Sequence, residues 1–271
     1  MDDKIKTTWQ NNYFEKGLVS VIMLTHVHTN VLFSAIECYL SQTYDKTELI
    51  LLDSGSTPHF DAVHNYLLKI DHEKARNIHH IMIDPYNKCL SVEKGSRNKN
   101  IASVGLLRNF AMTLAKGEYI LFFDDDDLMS DDRIELQLKN LLATECDFNT
   151  LSIFTLFGES GRREVSVENG LDGTVLLKND LKFGSKILFP DNVKTDEYSD
   201  FFYQIQTIGY KKSVFDCERS DIFTLRKTGI NLNNEMFFYN IVNNSEITKI
   251  QEEDRKKRTF LYETNKKILS L

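Results

Sequence analysis

Residues 117–132 read GEYILFFDDDDLMSDD, an apolar run that ends abruptly in four consecutive aspartates, Asp124–Asp127. Glu118–Phe123 is short and rich in aromatic and branched side chains, as a strand buried on both faces should be. Three similar runs lie upstream: LVSVIML at Leu18–Leu24, ELILLD at Glu48–Asp53 and IHHIMID at Ile78–Asp84. Apolar residues at helical spacing mark helices over Asn30–Gln42, with Asn30 as cap, and Ser103–Ala115; Asp61–Asp71 also reads as helical. A further helix is expected from a Ser130 cap to Leu142, with Asp131 and Asp132 in its first turn, where the helix dipole favours acids. Strand and helix thus alternate four times in the first 145 residues, which predicts an α/β fold on a parallel, doubly wound sheet. Farther on, Phe148–Gly158 and Phe183–Phe189 read as strands and Asp196–Gly209 as an amphipathic helix, whereas the chain after Tyr210 shows no pattern.

Open α/β sheets bind ligands outside the carboxyl ends of their strands. The polar clusters THVHTN, DSGST and DDDD each follow a strand, so the topology brings them to one edge. His26 and His28 lie in the first cluster, as ligand contacts or as plain loop residues. All seven histidines lie in the first 80 residues, so no later histidine can join a metal shell.

The chain has 271 residues, 41% of them hydrophobic, enough to bury a full core. A net charge of −7 gives no broad attraction to nucleic acid or anionic lipid. The four cysteines are too far apart for a redox pair or a zinc site. No apolar stretch approaches the ~20 residues that span a bilayer, and the first residues do not read as a signal peptide. A cytoplasmic protein is expected, with peripheral contact at the inner membrane face left open.

Extended backbone through the acidic run would place Asp124 and Asp126 on one face and Asp125 and Asp127 on the other. Neighbouring carboxylates ~5 Å apart repel by ~0.8 kcal/mol even in water, so counter-charge is expected nearby. Two such carboxylates suit a hard cation, Mg²⁺ or Mn²⁺, that keeps positions open for phosphate oxygens. A calcium loop begun at Asp124 fails, because Leu128 and Met129 stand where a ligand and a glycine belong.

The segments VSVIMLTH, YLSQTYDKTELILLDSGST, LLRNFAMTLAKGEYILFFDDDDLM and DEYSDFFYQIQTIGY, in that order, resemble the motifs of family 2 glycosyltransferases. The resemblance covers Leu18–Tyr210. It implies a GT-A fold, Rossmann-like, with a mixed but mainly parallel sheet flanked by helices. It also implies inverting, non-processive transfer of one sugar from a nucleotide diphosphate, usually UDP, to the hydroxyl of a glycan or glycoconjugate acceptor. By position, Thr25, Asp53 and Ser54 would line the nucleoside pocket, although Asp53 also reads as a turn-forming residue and Ser54 stands where many relatives carry a second acid. Arg108 would lie near the donor's phosphates or sugar. Asp124 and Asp126 would hold the metal, with Asp126 a direct ligand, and Asp124, Asp125 and Asp127 would support or face the sugar nucleotide. The general base would be Glu197 or Asp196, with Asp200 a further candidate. The family's arginine downstream of that pair is replaced by Gln204. The chain is expected to divide into an N-terminal extension (1–17), one catalytic domain (18–240) with its donor half at 18–145 and acceptor half at 146–240, and a helical tail (241–271). Two other readings stay open: transfer to modified nucleic-acid bases, and a non-catalytic sugar-nucleotide-binding partner subunit.

Overall fold

The computed structural model describes residues 14–27, 29–84, 91–94, 99–158, 161–179, 188–190, 197–226 and 246–248. The donor half runs β1 (Glu15–Thr25), α1 (Thr29–Leu40), β2 (Thr47–Asp53), α2 (Thr57–Leu67) and β3 (Ile78–Met82). A hairpin of β4 (Ser91–Lys94) and β5 (Lys99–Ala102) follows, then α3 (Val104–Leu114), β6 (Gly117–Phe122), β7 (Leu128–Met129) and α4 (Arg133–Ala143). Then come β8 (Phe148–Gly158), β9 (Gly161–Lys178), α5 (Glu197–Thr207), β10 (Lys212–Phe215), β11 (Phe223–Arg226) and β12 (Glu246–Thr248).

The main sheet has the order β3-β2-β1-β6-β9-β8-β11-β7, with β10 on β8 and β12 on β9. The first four of these strands are parallel, in the register Thr25↔Asp53 and Ile22↔Phe122. Strand β9 pairs antiparallel with both β6 and β8, carrying the sheet from the donor half into the acceptor half. Alternation along the strands separates two cores. Val21, Met23, Leu51 and Leu121 face α1 and α4, whereas Ile22, Ile50, Leu52, Ile120 and Phe122 face α3 and α5. Burying both faces accounts for the unbroken apolar runs in β2 and β6. No helix among the described residues is long and apolar enough to cross a membrane.

Several boundaries differ from the sequence reading. Helix α2 begins at Thr57, before Asp61, because Pro58 fits its first turn, where an unbonded N–H is no loss. Helix α4 begins at Arg133, so Ser130 is not its cap and Asp131 and Asp132 precede its first turn. Asp132, at the cap position, makes no capping bond and pairs instead with Arg219 at 2.6 Å, and Asp131 accepts from Ser41 Oγ at 2.9 Å. Strand β1 reaches back to Glu15, inside the expected extension, and Glu246–Thr248 forms a strand within the expected helical tail. Of the expected strand at Phe183–Phe189, only Leu188 and Phe189 are described, and they are not in a strand. Strand β9 was not legible: Gly170 and Gly173 interrupt its pattern, and its register with β8 shifts twice near them.

Candidate donor site

The carboxyl ends of β1, β2 and β6 meet at one edge, as expected. At the first two, Ser54 N donates to Thr25 O at 2.9 Å, closing the strand ends together. Ser54 Oγ lies 3.3 Å from both Thr25 O and His26 Nδ1, and His26 Nδ1 lies 2.8 Å from Ser54 O. His26 is exposed, whereas Thr25 and Ser54 are buried, the Thr25 hydroxyl without a partner among the described residues. His28 lies outside the described residues.

Asp53 is 0% exposed and already engaged. Its Oδ1 accepts from Gly55 N at 2.8 Å in a tight turn. His59 Nδ1 lies 3.1 and 3.0 Å from its two oxygens, and His80 Nε2 lies 3.2 Å from Oδ2. The carboxylate only accepts, so it selects the tautomers in which those nitrogens carry hydrogen. Phe60 stacks on the His80 ring at 4.1 Å, completing the support. Asp53 therefore organises the β2 end from inside. The two histidines escaped the sequence reading because nothing local links position 59 or 80 to position 53.

The acidic run is not extended. Asp127 N donates to Asp124 O at 3.4 Å, so the four aspartates form a turn between β6 and β7, and strict two-face alternation does not hold. Arg226 is bonded across it. Arg226, at the end of β11, donates its N–H to Asp127 Oδ1 at 2.8 Å, its Nε to Asp126 O and its Nη2 to Val31 O at 3.4 Å. Asp125, Asp126 and Asp127 are buried, while the Asp124 side chain keeps 40% of its surface. Burial, then the charges of Asp126 and Asp124, push the Asp127 carboxyl well above the ordinary range against the opposing pull of Arg226. Nothing around Arg226 in the sequence marks it.

Arg108 joins the two halves. Its Nη2 lies 3.4 Å from Asp124 Oδ1, and its guanidinium carbon sits 4.3 Å from the Tyr198 ring centroid, 5.6 Å from Phe189 and 5.9 Å from Phe122. Tyr198 is the second residue of α5, so the start of that helix stands beside the acidic turn. Glu197 is its first residue. Asp196 lies outside the described residues, and Asp200 is exposed, its carbonyl accepting from Gln204 Nε2 at 3.3 Å. Gln204 is turned to Leu188, whose carbonyl it reaches at 3.1 Å.

Among the described residues, no three His, Cys, Asp or Glu side chains converge as a protein-only metal cage. The donor set nonetheless suits a hard cation that takes most of its shell from phosphate and water. Gly173, on β9, lies beside the accessible carboxylate: a Cβ there would make an ordinary contact of 3.8 Å with Asp124 Oδ2.

Comparison with known proteins bears on the fold and the family. The chain is 30% identical over 135 residues to the Escherichia coli UDP-Glc:alpha-D-GlcNAc-diphosphoundecaprenol beta-1,3-glucosyltransferase WfaP, covering 50% of this chain and 45% of WfaP. Its fold matches that of S. aureus TarS 1–349 in complex with UDP (TM-score 0.54, 19% identity, 77% of this chain and 60% of that one). It also matches the mannosyltransferase PcManGT from Pyrobaculum calidifontis in complex with GDP-Man and Mn²⁺ (TM-score 0.53, 16% identity, 77% and 56%). These likenesses establish a GT-A type fold. The chain spans between 25% and 50% of the length of the curated relatives it matches. The model of the family described as "Glycosyl transferase family 2" matches residues 20–218, and the chain belongs to that family.

Proposed function

We propose that the protein transfers one sugar from a nucleotide diphosphate, UDP in the first instance, to the hydroxyl of a glycan or glycoconjugate acceptor in surface-glycan synthesis, with inversion and a divalent ion. One observation supports the reading: Arg108 lies between Asp124 of the acidic turn and Tyr198 at the start of α5, which brings the acids proposed for the metal beside the helix that begins with the proposed base. Thr25 and Ser54 line the nucleoside side, with Asp53 and its histidines holding that edge. Asp124 and Asp126 are assigned to Mn²⁺ or Mg²⁺ and Asp125 to the sugar nucleotide. The bound ion would act as a Lewis acid toward the leaving diphosphate. Arg108 orients Asp124 and places positive charge beside the phosphates. Glu197, or Asp196, takes the acceptor proton as its oxygen attacks the anomeric carbon from the opposite face. The UDP-sugar named for WfaP, the UDP bound to TarS and the Mn²⁺ in PcManGT support the donor class and the ion.

A UDP-sugar panel with Mn²⁺ tests this. Binding or slow hydrolysis of one donor is expected, and Asp126→Ala should remove its metal-dependent part. Unchanged metal-dependent turnover in that variant would overturn the metal assignment.

A further inference from the structure

Arg133, the first residue of α4, is fully buried. Its Nε donates to Gln137 Oε1 at 3.0 Å, and its Nη2 to two main-chain oxygens, Thr174 O at 3.3 Å and Phe122 O at 3.4 Å. Phe123 and Phe223 lie 4.8 and 5.0 Å from the guanidinium carbon. Among the described residues it forms no carboxylate ion pair, and its Nη1 is buried without a hydrogen-bond partner. A buried cation in that state is costly, and a helix start is the wrong end for positive charge. Desolvation lowers its pKa only to about 10, with Asp127 and Asp124 opposing, so it stays charged at neutral pH.

Its contacts explain why it is there. Phe122 is the last residue of β6, two positions before Asp124, and Thr174 follows Gly173, which lies beside Asp124. Arg133 therefore ties together β6, which leads into the acidic turn, and its sheet neighbour β9. On the turn itself Asp127 Oδ2 is also buried without a hydrogen-bond partner among the described residues.

We propose that Arg133 is a positioning residue for the donor site, fixing the Asp124–Asp127 turn through Phe122 O and Thr174 O and holding its clustered carboxylates in one arrangement before any ion or diphosphate arrives. It touches no donor atom and acts through the turn. The inference rests on the turn being the donor's metal and diphosphate site. A bystander cation would behave differently: its removal leaves the site more negative and tightens cation binding. A packing role alone would lower stability and leave affinity unchanged.

The test uses the whole chain and reads binding, with Mn²⁺ followed by electron paramagnetic resonance and UDP by calorimetry, with and without Mn²⁺, well below each variant's melting midpoint. Arg133→Met keeps the bulk and removes the charge. Mn²⁺-dependent UDP affinity should fall by about tenfold to a hundredfold, as for lost outer-shell support, despite the added net negative charge. Metal-free UDP binding should be unchanged, and Arg133→Lys should recover part of the loss. Equal or tighter Mn²⁺ binding in Arg133→Met overturns the proposal. Should Arg133→Met not fold, Arg133→Lys decides: weakened Mn²⁺–UDP binding supports the role, and wild-type affinity overturns it. Absence of Mn²⁺-dependent UDP binding in the unmutated chain overturns the donor-site reading, and this inference with it.

Discussion

Gly105, the second residue of α3, lies where that helix passes the Leu188–Pro190 segment, and replacing it with alanine is a sharp test of the site's architecture. A Cβ there would meet Pro190 O at 2.0 Å and the Pro190 carbonyl carbon at 3.0 Å. Ordinary C···O approaches are about 3.3 Å, so the segment must retreat by about 1.3 Å. That retreat breaks the paired bonds holding it to the helix, Asn109 Nδ2 to Phe189 O at 2.9 Å and Phe189 N to Asn109 Oδ1 at 2.8 Å. Their loss costs about 1 kcal/mol each and residual overpacking about 1–3 kcal/mol, against a gain of about 1 kcal/mol from better helix propensity. The net loss of about 3 kcal/mol corresponds to a fall in melting temperature of about 9 °C for a domain of this size. Thermal unfolding followed by circular dichroism measures it, alongside UDP–Mn²⁺ affinity, which should weaken because Phe189 also packs beside Arg108. Without the clash, Gly→Ala in a helix stabilises, so an unchanged or raised melting temperature refutes the packing argument by its sign alone.

Other outcomes follow from the same geometry. Asp53→Ala should destabilise the fold by about 3 kcal/mol, because two buried imidazoles and the Gly55 N–H lose their common acceptor, whereas Asp53→Asn should cost less; urea unfolding separates them. Glu197→Gln should lower turnover at near-normal donor affinity, and if Asp196→Asn does so instead, the base is the neighbouring acid. Burial raises the Asp132 carboxyl, but hydrogen bonds from Arg219 and Ser130 outweigh it and hold the group below its ordinary value of 3.8. The linked stabilisation is therefore complete above that value and disappears as pH falls through the lower folded one. Both partners are partly exposed, so it amounts to about 1 kcal/mol or less, and the stability gap between the wild type and Arg219→Met should close in acid. Burial pushes the Cys38 thiol up to about 11, so it should resist alkylation in the native protein near pH 8 and react only on unfolding.

The donor half was largely legible because it is made of local signals. Each buried strand is a contiguous apolar run, each helix after it carries its own period, and chain direction alone puts 25, 53 and 124 at one edge. In the acceptor half the strand at Phe148–Gly158 and the helix within Asp196–Gly209 were legible on the same grounds, whereas β9 was not, since it is long, polar and interrupted by glycine, and its place is fixed by pairing with β6 and β8 rather than by its own pattern. Arg133 was within reach of the sequence, because it extends the buried stripe of Ile134, Gln137, Leu138 and Leu141 at helical spacing. Arg226 was not, for the Asp127 and Val31 groups it bonds stand 99 or more residues away.

The sequence by itself determined the alternation of strands and helices, the edge at which polar groups gather and the acidic run placed there. Periodicity and composition encode these, because hydrophobic burial acts on neighbours along the chain. Only the tertiary structure decided what each acid does. Asp53 faces inward to two histidines, Asp124 alone of the run remains widely accessible, and the run folds into a turn under Arg226 with Arg133 behind it. The division arises because charge must be balanced in space, and the balancing arginines come from a helix start, a helix interior and a strand end brought together by folding.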